Sequence, residues 1–431
     1  MKNKYLKTLS ILFFSLMLFS CEDFVNDYEQ PNDSIGDDGF TDAGGAQFLM
    51  TGVEVQFSAA LDRITSSAGA QSDEQGFTRD IQGASFPQFD ELNSARRTTD
   101  AEGPELRIDN TVCGNLFLEV HEYRKHAELL LEKLDGGQIA FEAGEEAIQV
   151  AAYFSGNFHA GLSRYLLATY YALEPGQPGS TIDVGPFVPQ AELYTQTLSY
   201  LNTALTFATE AEARRVNTLI ARINMIQGNY SGAATAAAAG MSPGDADYSG
   251  LYNVNVGNVW YFDSGIGRIQ LNADSRFNDY LTADPAEEAR VPLFTVPGTA
   301  TDEEGNPLNT YYVQNKFTEQ ESPIRFLGWT ENHYILAELD IRNGDNASGL
   351  AKVNEVRSSY GLSDLDDQYV QDNHGGDYIS LIAEERDKEF FCEGMRLVDQ
   401  RRLGLWHLDA ALTWQYMPIS LRERNQNENI D

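Results

Sequence analysis

Among residues whose spacing could support chemistry, His121-Glu122 and His126 come nearest to a metal-hydrolase motif. A zinc protease needs two histidines four apart, so that both imidazoles leave one helix face towards one ion. Here they are five apart, and no metal is expected. The turn Thr301-Asp302-Glu303-Glu304-Gly305-Asn306 collects oxygen ligands but lacks the spacing of an EF-hand calcium loop. With 65 Asp and Glu residues, a carboxylate pair for glycoside hydrolysis is always available by composition. The chain has no G-x-S-x-G, no H-E-x-x-H, no Cys/His pair at a recognisable spacing and no phosphate loop. No catalytic residue and no cofactor are assigned, and the chain is read as a non-enzyme.

Cys21 is placed for a different reaction. Lys2, Lys4 and Lys7 precede an apolar run of roughly ten residues, too short to span a bilayer as a helix and ordered like a secretory signal. It ends Leu18-Phe19-Ser20-Cys21, the pattern of a bacterial lipobox, in which the cysteine sulfur takes a diacylglycerol and becomes the new N-terminus. Acyl chains contributing about 0.8 kcal/mol per buried CH2 would hold the chain on a membrane. Residues 1–20 are therefore expected to be a lipoprotein signal peptide and Cys21 the lipidation site. Cys113 and Cys392 are the other two cysteines. An exported compartment permits a disulfide between them, but nothing brings them together in the sequence, and two buried free thiols are the expectation.

These residues need a scaffold. The chain has 431 residues and 42% hydrophobic content, enough for a sizeable core. Thirty basic residues against 65 acidic ones give a formal charge of −35. Such a surface repels nucleic acid and suits neutral or cationic ligands; acidic polysaccharides would need bridging cations. Residues 21–45, acidic and Gly-rich, read as a flexible tether, and 46–431 as a helical-repeat domain. Apolar spacing predicts helices over Ala46–Ala70, Asn115–Leu134, Phe141–Leu173 and Pro189–Glu210. Gln71–Pro104 reads as a long loop of the kind that often carries function. Asn217–Ala238 and Tyr334–Val353 match each other: a helix, Gly-Asn or Gly-Asp, then a second Ala-rich helix. Gly228 and Gly344 suit left-handed helix ends, with Ala221, Ala234, Ala337 and Ala351 at the crossings, as in a tetratricopeptide hairpin. Between them Met241–Pro323 reads as loops and short strands, including Tyr252–Phe262 and a strand at Thr310–Asn315. The fold class is mainly α, a tetratricopeptide-like scaffold with long loop and short-strand excursions.

Leu381–Gly404 reads L-I-A-E-E-R-D-K-E-F-F-C-E-G-M-R-L-V-D-Q-R-R-L-G. It resembles the C-terminal signature of the SusD/RagB family of outer-membrane lipoproteins in Glu385-Arg386, Glu389-Phe390, Glu393-Gly394, Arg396, Asp399 and Arg401. Cys392 stands where that family usually has an aromatic residue. Trp329–Glu338, Val353–Leu362 and Gln314–Phe317 resemble the elements that precede the signature. From spacing alone, Glu385, Arg386, Glu389, Arg396 and Arg401 form a salt-bridge network along helices, with Phe390 and Leu397 turned inward. Acidic residues just after Cys21 resemble the signal that sends such lipoproteins to the outer face of the outer membrane.

The resemblance implies a cell-surface lipoprotein that captures oligosaccharide or another nutrient and passes it to a TonB-dependent, SusC-like transporter. The competing expectations are a surface-anchored glycan hydrolase and a structural adaptor of the transporter. Sugar binding needs exposed aromatic faces beside polar side chains. The candidates are Trp260, Tyr261 and Asn258 in the insert, and Asp73, Glu74 and Arg79 in the early loop. Trp406 and Trp414 are expected in the core or facing the transporter.

Overall fold

The computed structural model describes residues 39–99 and 103–430. The expected signal peptide, Cys21 and most of the expected tether lie outside them. The first helix, α1 (Ala43–Gln71), begins earlier than its apolar pattern, because the Asp42 side chain accepts from the Gly45 N–H at 2.8 Å. Residues 43–45 therefore belong to the helix. The segment expected as a loop holds β1 (Gln75–Phe77) and α2 (Pro87–Ser94), the latter opened by a proline whose missing N–H costs nothing at that position. Next come α3 (Thr111–Asp135) and α4 (Glu146–Tyr170). From Phe158 to Tyr170 every residue of α4 is buried, since α1, α3 and α5 (Gln190–Leu205) enclose it. Between α4 and α5 run β2 (Tyr171–Glu174), β3 (Gln177–Thr181) and β4 (Phe187–Pro189), so α4 ends earlier than its sequence pattern; it also starts later, at Glu146.

The first hairpin pairs α6 (Glu210–Ile226) with α7 (Tyr230–Ala237). The excursion that follows contains β5 (Tyr248–Gly250), α8 (Val259–Asp263), β6 (Ser264–Gly265), β7 (Arg268–Ile269), β8 (Leu271–Ala273), α9 (Ser275–Ala283), β9 (Leu293–Pro297), β10 (Thr310–Gln314) and β11 (Ile324–Leu327). The second hairpin pairs α10 (Trp329–Arg342) with α11 (Asn346–Ser359). Gly228 and Gly344 adopt φ of 71° and 86°, and Asn229 and Asp345 cap the second helix of each pair. The α10–α11 crossing is made by Ala337 and Gly349, while Ala351 is exposed. The hairpins stack, α10 lying against α6 and α7. The chain ends with α12 (Asp367–His374), α13 (Tyr378–Glu389), α14 (Met395–Arg402), β12 (Met417–Pro418) and α15 (Leu421–Gln426).

The excursion is organised by one antiparallel sheet in the order β1-β8-β10-β9. Gln75 faces Ala273, Tyr312 also faces Ala273, and β10 runs its full length against β9. A strand from the early segment is thus stitched into the insert nearly two hundred residues later.

The signature stretch does not form one helix. The chain breaks over Phe390–Gly394, with Cys392 itself at φ 61°, so its charged residues lie on two helices and pair both with one another and with residues elsewhere in the chain. Glu385 accepts from Arg290 at 2.9 Å and Arg357 at 3.0 Å, and Arg357 also reaches Glu287 at 3.0 Å. Arg386 and Arg402 share Asp399, and Arg325 bonds Glu389 and Glu393. Arg401 instead donates to the carbonyls of Gln415 and Thr169 and lies over the Tyr416 ring. Phe390 and Leu397 are buried, as expected. Cys113 and Cys392 are free, buried thiols.

Candidate functional site

The small sheet borders a cavity of about 520 Å³. Asn272 of β8 and Tyr311 and Tyr312 of β10 line it, with Asp73, Asn93, Asp274 and His407 around them. Several of these groups are already committed. Asn93 donates to the carbonyls of Ala70 and Gln75 and accepts from the Phe77 N–H, tying α2 to α1 and β1. The Tyr311 hydroxyl donates to Asp80 at 2.9 Å. Asp73 accepts from Nε and Nη2 of Arg396 at 2.6 and 2.8 Å and lies 3.1 Å from Arg276. Burial alone would push its carboxyl up, but the Arg396 hydrogen bonds and the charges of both arginines outweigh this and hold it below the usual range. Asp73 is a fixed anion at neutral pH.

Other groups keep hydrogen-bonding capacity. The Asn272 amide reaches only the carbonyl of its neighbour Ala273, at 3.3 Å. Among the described residues the Tyr312 hydroxyl has no hydrogen bond. His407 shares a hydrogen bond through Nδ1 with Gln400 and packs against Trp406. Burial draws its pKa below the ordinary value, a shift the nearby Asp73 only opposes, so the ring is neutral at pH 7. A tyrosine face, a carboxamide, a neutral imidazole and a fixed carboxylate around one open cavity suit a neutral, polyhydroxylated ligand: an apolar platform for C–H groups, with donors and acceptors for hydroxyls.

The structure sorts the residues expected from the sequence. Asp73 lines the cavity. Glu74, the next residue, points inward; its Oε1 accepts from the Cys392 N–H at 3.0 Å, and burial pushes its carboxyl up to about 8. Arg79 is exposed beyond β1 and does not line this cavity. Trp260 and Asn258 are fully buried, which corrects their reading as contact residues. Residues 252–258 are irregular, as expected, but the end of the aromatic stretch folds as the short helix α8, and this turns the indole onto α1, where its N–H donates to Thr65 Oγ1 at 2.8 Å. Asn258 caps that helix, accepting from the Trp260 N–H, and donates to the Ser322 carbonyl. Tyr261 is half-buried, edge-on to Phe262, and outside the cavity lining. Trp414 is buried and Trp406 half-buried.

Asn272, Tyr312 and His407 went unread in the sequence because no local spacing joins them; the adjacent tyrosines in the expected strand at 310–315 were the one available signal. Among the described residues no group of three or more His, Cys, Asp or Glu is placed to hold a metal ion. Asp302 closes its own turn by accepting from the N–H groups of Glu304 and Asn306. Among the described residues no helix is long and apolar enough to cross a membrane.

Residues 167–431, more than half of the chain, match the model of the SusD family. No curated protein matches the chain. Many solved structures share its fold. A SusD superfamily protein from Bacteroides thetaiotaomicron is 16% identical with a TM-score of 0.69, over 91% of this chain and 99% of that one. NanU of B. fragilis is 14% identical with a TM-score of 0.68, over 94% and 99%. A laminarin-binding SusD-like protein is 14% identical with a TM-score of 0.65, over 91% and 99%.

Proposed function

The chain belongs to the SusD family, and from that premise we propose that it is a glycan-binding protein of the cell surface that captures an oligosaccharide and delivers it to a partner TonB-dependent outer-membrane transporter. Lipidation at Cys21 anchors it in the outer membrane, and residues 22–42 give the binding domain reach above the surface. The observation that carries this reading is the cavity over the small sheet, where Tyr312, Asn272 and His407 hold unspent hydrogen-bonding groups around an open space. The names of two neighbours, a laminarin-binding protein and a SusD-like carbohydrate-binding protein, support a saccharide ligand. Asp73, held ionised by Arg396 and Arg276, is unsuited to act as a general acid near neutral pH.

Titration of the full chain in detergent with laminari- and malto-oligosaccharides tests the binding step. Saturable heat with at least one series, without release of shorter products, is the expected result. Cleavage of the glycan would replace this reading with the hydrolase. Co-purification of a large β-barrel transporter tests delivery, and Cys21→Ala should free the protein from the membrane fraction. Retention of that variant with a labelled fatty acid would remove the anchor.

A further inference from the structure

A second cavity, of about 240 Å³, lies on the other side of α2. Gln88 and Phe89 of α2 face it, while Asn93 of the same helix borders the cavity described above. Its volume sits just below the roughly 300–1,000 Å³ usual for ligand sites, room for a single ring. Its chemistry differs from that of the rest of the surface. The protein carries a formal −35, yet two guanidiniums, Arg63 of α1 and Arg268 of β7, stand at this rim. Each is about half exposed and spends one nitrogen on a carboxylate: Arg63 Nε lies 3.2 Å from Glu119, and Arg268 Nη2 lies 2.8 Å from Asp263. The remaining N–H donors of each fork are available. The amino ends of α2 and α3 also border the cavity, through Gln88 and Thr111, and add positive field. Deeper in the wall, Ser67 is 1% exposed and its hydroxyl has no hydrogen-bond partner. A buried orphan hydroxyl is costly unless something reaches it. Phe86 supplies a flat apolar wall, with the Arg268 guanidinium 4.6 Å above its ring centre.

We propose that this cavity is a second binding site, separate from the first, that takes one carboxylate-bearing sugar unit of the hexuronic type. The carboxylate would accept from Arg63 and Arg268, and a sugar hydroxyl would pair with Ser67. Asp263 and Glu119, the carboxylates beside the cavity, are each already ion-paired with one of these arginines, so a ligand carboxylate would be held by the free N–H donors and the two helix amino ends rather than by a net positive charge.

The test is a titration of the full chain in detergent with glucuronate, glucose and acetate, followed by saturation-transfer NMR. Glucuronate should bind about tenfold or more tighter than glucose or acetate. Arg268→Gln and Arg63→Gln should each weaken it about tenfold, the loss expected for a charge-assisted hydrogen bond. Both arginines are half exposed, so thermal melting of the two variants should match the parent. A neutral oligosaccharide held at saturation should not displace glucuronate. Equal affinity for glucuronate and glucose, indifference to both arginine substitutions, or displacement by the neutral oligosaccharide would each overturn the proposal. The glucuronate-to-glucose comparison and the two arginine substitutions do not depend on whether the first cavity binds glycan.

Discussion

Two polar regions of this molecule meet at Arg396. On one side lies the ionic frame behind the family signature, where Arg396 Nε sits 3.4 Å from the buried Asp387. On the other lies the cavity, reached through Asp73. The frame is buried and charge-paired: Glu385, Arg290 and Arg357 are each at most 3% exposed in their side chains, and each has an opposite charge within hydrogen-bond reach. The cavity is open and unsaturated, with an asparagine, a tyrosine and a histidine holding unspent groups. Saturated polar clusters hold elements in place; unsaturated ones beside an opening are where a ligand gains by entering. The tryptophan fares likewise. In sequence Trp260 looks like a sugar platform, but its indole N–H is spent on Thr65 and both faces are enclosed, so it belongs with the frame.

Substitutions can break or sharpen that division. The largest effects should come from the buried side. Glu385→Ala leaves Arg290 and Arg357 without their shared carboxylate and should cost about 3–5 kcal/mol in denaturant unfolding. Burial would raise the Glu385 pKa, but Arg290, Lys388 and Arg357 hold it at about 2, below its ordinary 4.5. Its contribution is therefore complete above about pH 4.5 and is lost as the pH falls through 2, so the deficit of the variant should shrink over that acidic window. Trp260→Ala should cost a similar 3–5 kcal/mol of stability, as for other large buried aromatics. An unchanged unfolding midpoint together with lost glycan affinity would return Trp260 to the binding side.

A smaller effect should come from Asn272→Ala. It should weaken glycan binding by about 1–2 kcal/mol, one or two hydrogen bonds, while leaving melting unaltered. A pH-dependent effect should come from Glu74→Gln. Burial raises the Glu74 carboxyl to about 8, and the hydrogen bond from Cys392 only partly offsets it. A raised carboxyl contributes stability that is complete below about 4.5 and is lost as the pH rises through 8. Thermal melts of the parent should therefore fall between pH 5 and 8.5, and those of the glutamine variant should fall less. Parallel pH profiles would show that Glu74 is not buried as described.

The frame was more legible in sequence than the cavity. The paired hairpins could be read from Gly228-Asn229 and Gly344-Asp345 because each is a local event: one left-handed glycine and one capping side chain. The charged spacing of Glu385 to Arg401 was visible too, but not its partners. The break at Phe390–Gly394 rests on two left-handed residues, Gly394 at φ 75°, a glycine visible in the sequence, and Cys392 at φ 61°, which no propensity announces. The cavity was legible only in Asp73 and in the strand expected at 310–315. Its other walls come from β8 and the segment after α14, brought together by strand pairings such as Gln75 with Ala273 that span the chain. The burial of Trp260 hung on a five-residue helix too short to leave a periodic pattern.

The most direct test of the division is a calorimetric titration comparing the parent with Tyr312→Ala, using the laminari- or malto-oligosaccharide that binds best. The account predicts that affinity falls by about 1–3 kcal/mol, as for a large aromatic contact, with the melting temperature unchanged. Unchanged affinity in a folded Tyr312→Ala variant would contradict it and move the glycan away from the small sheet.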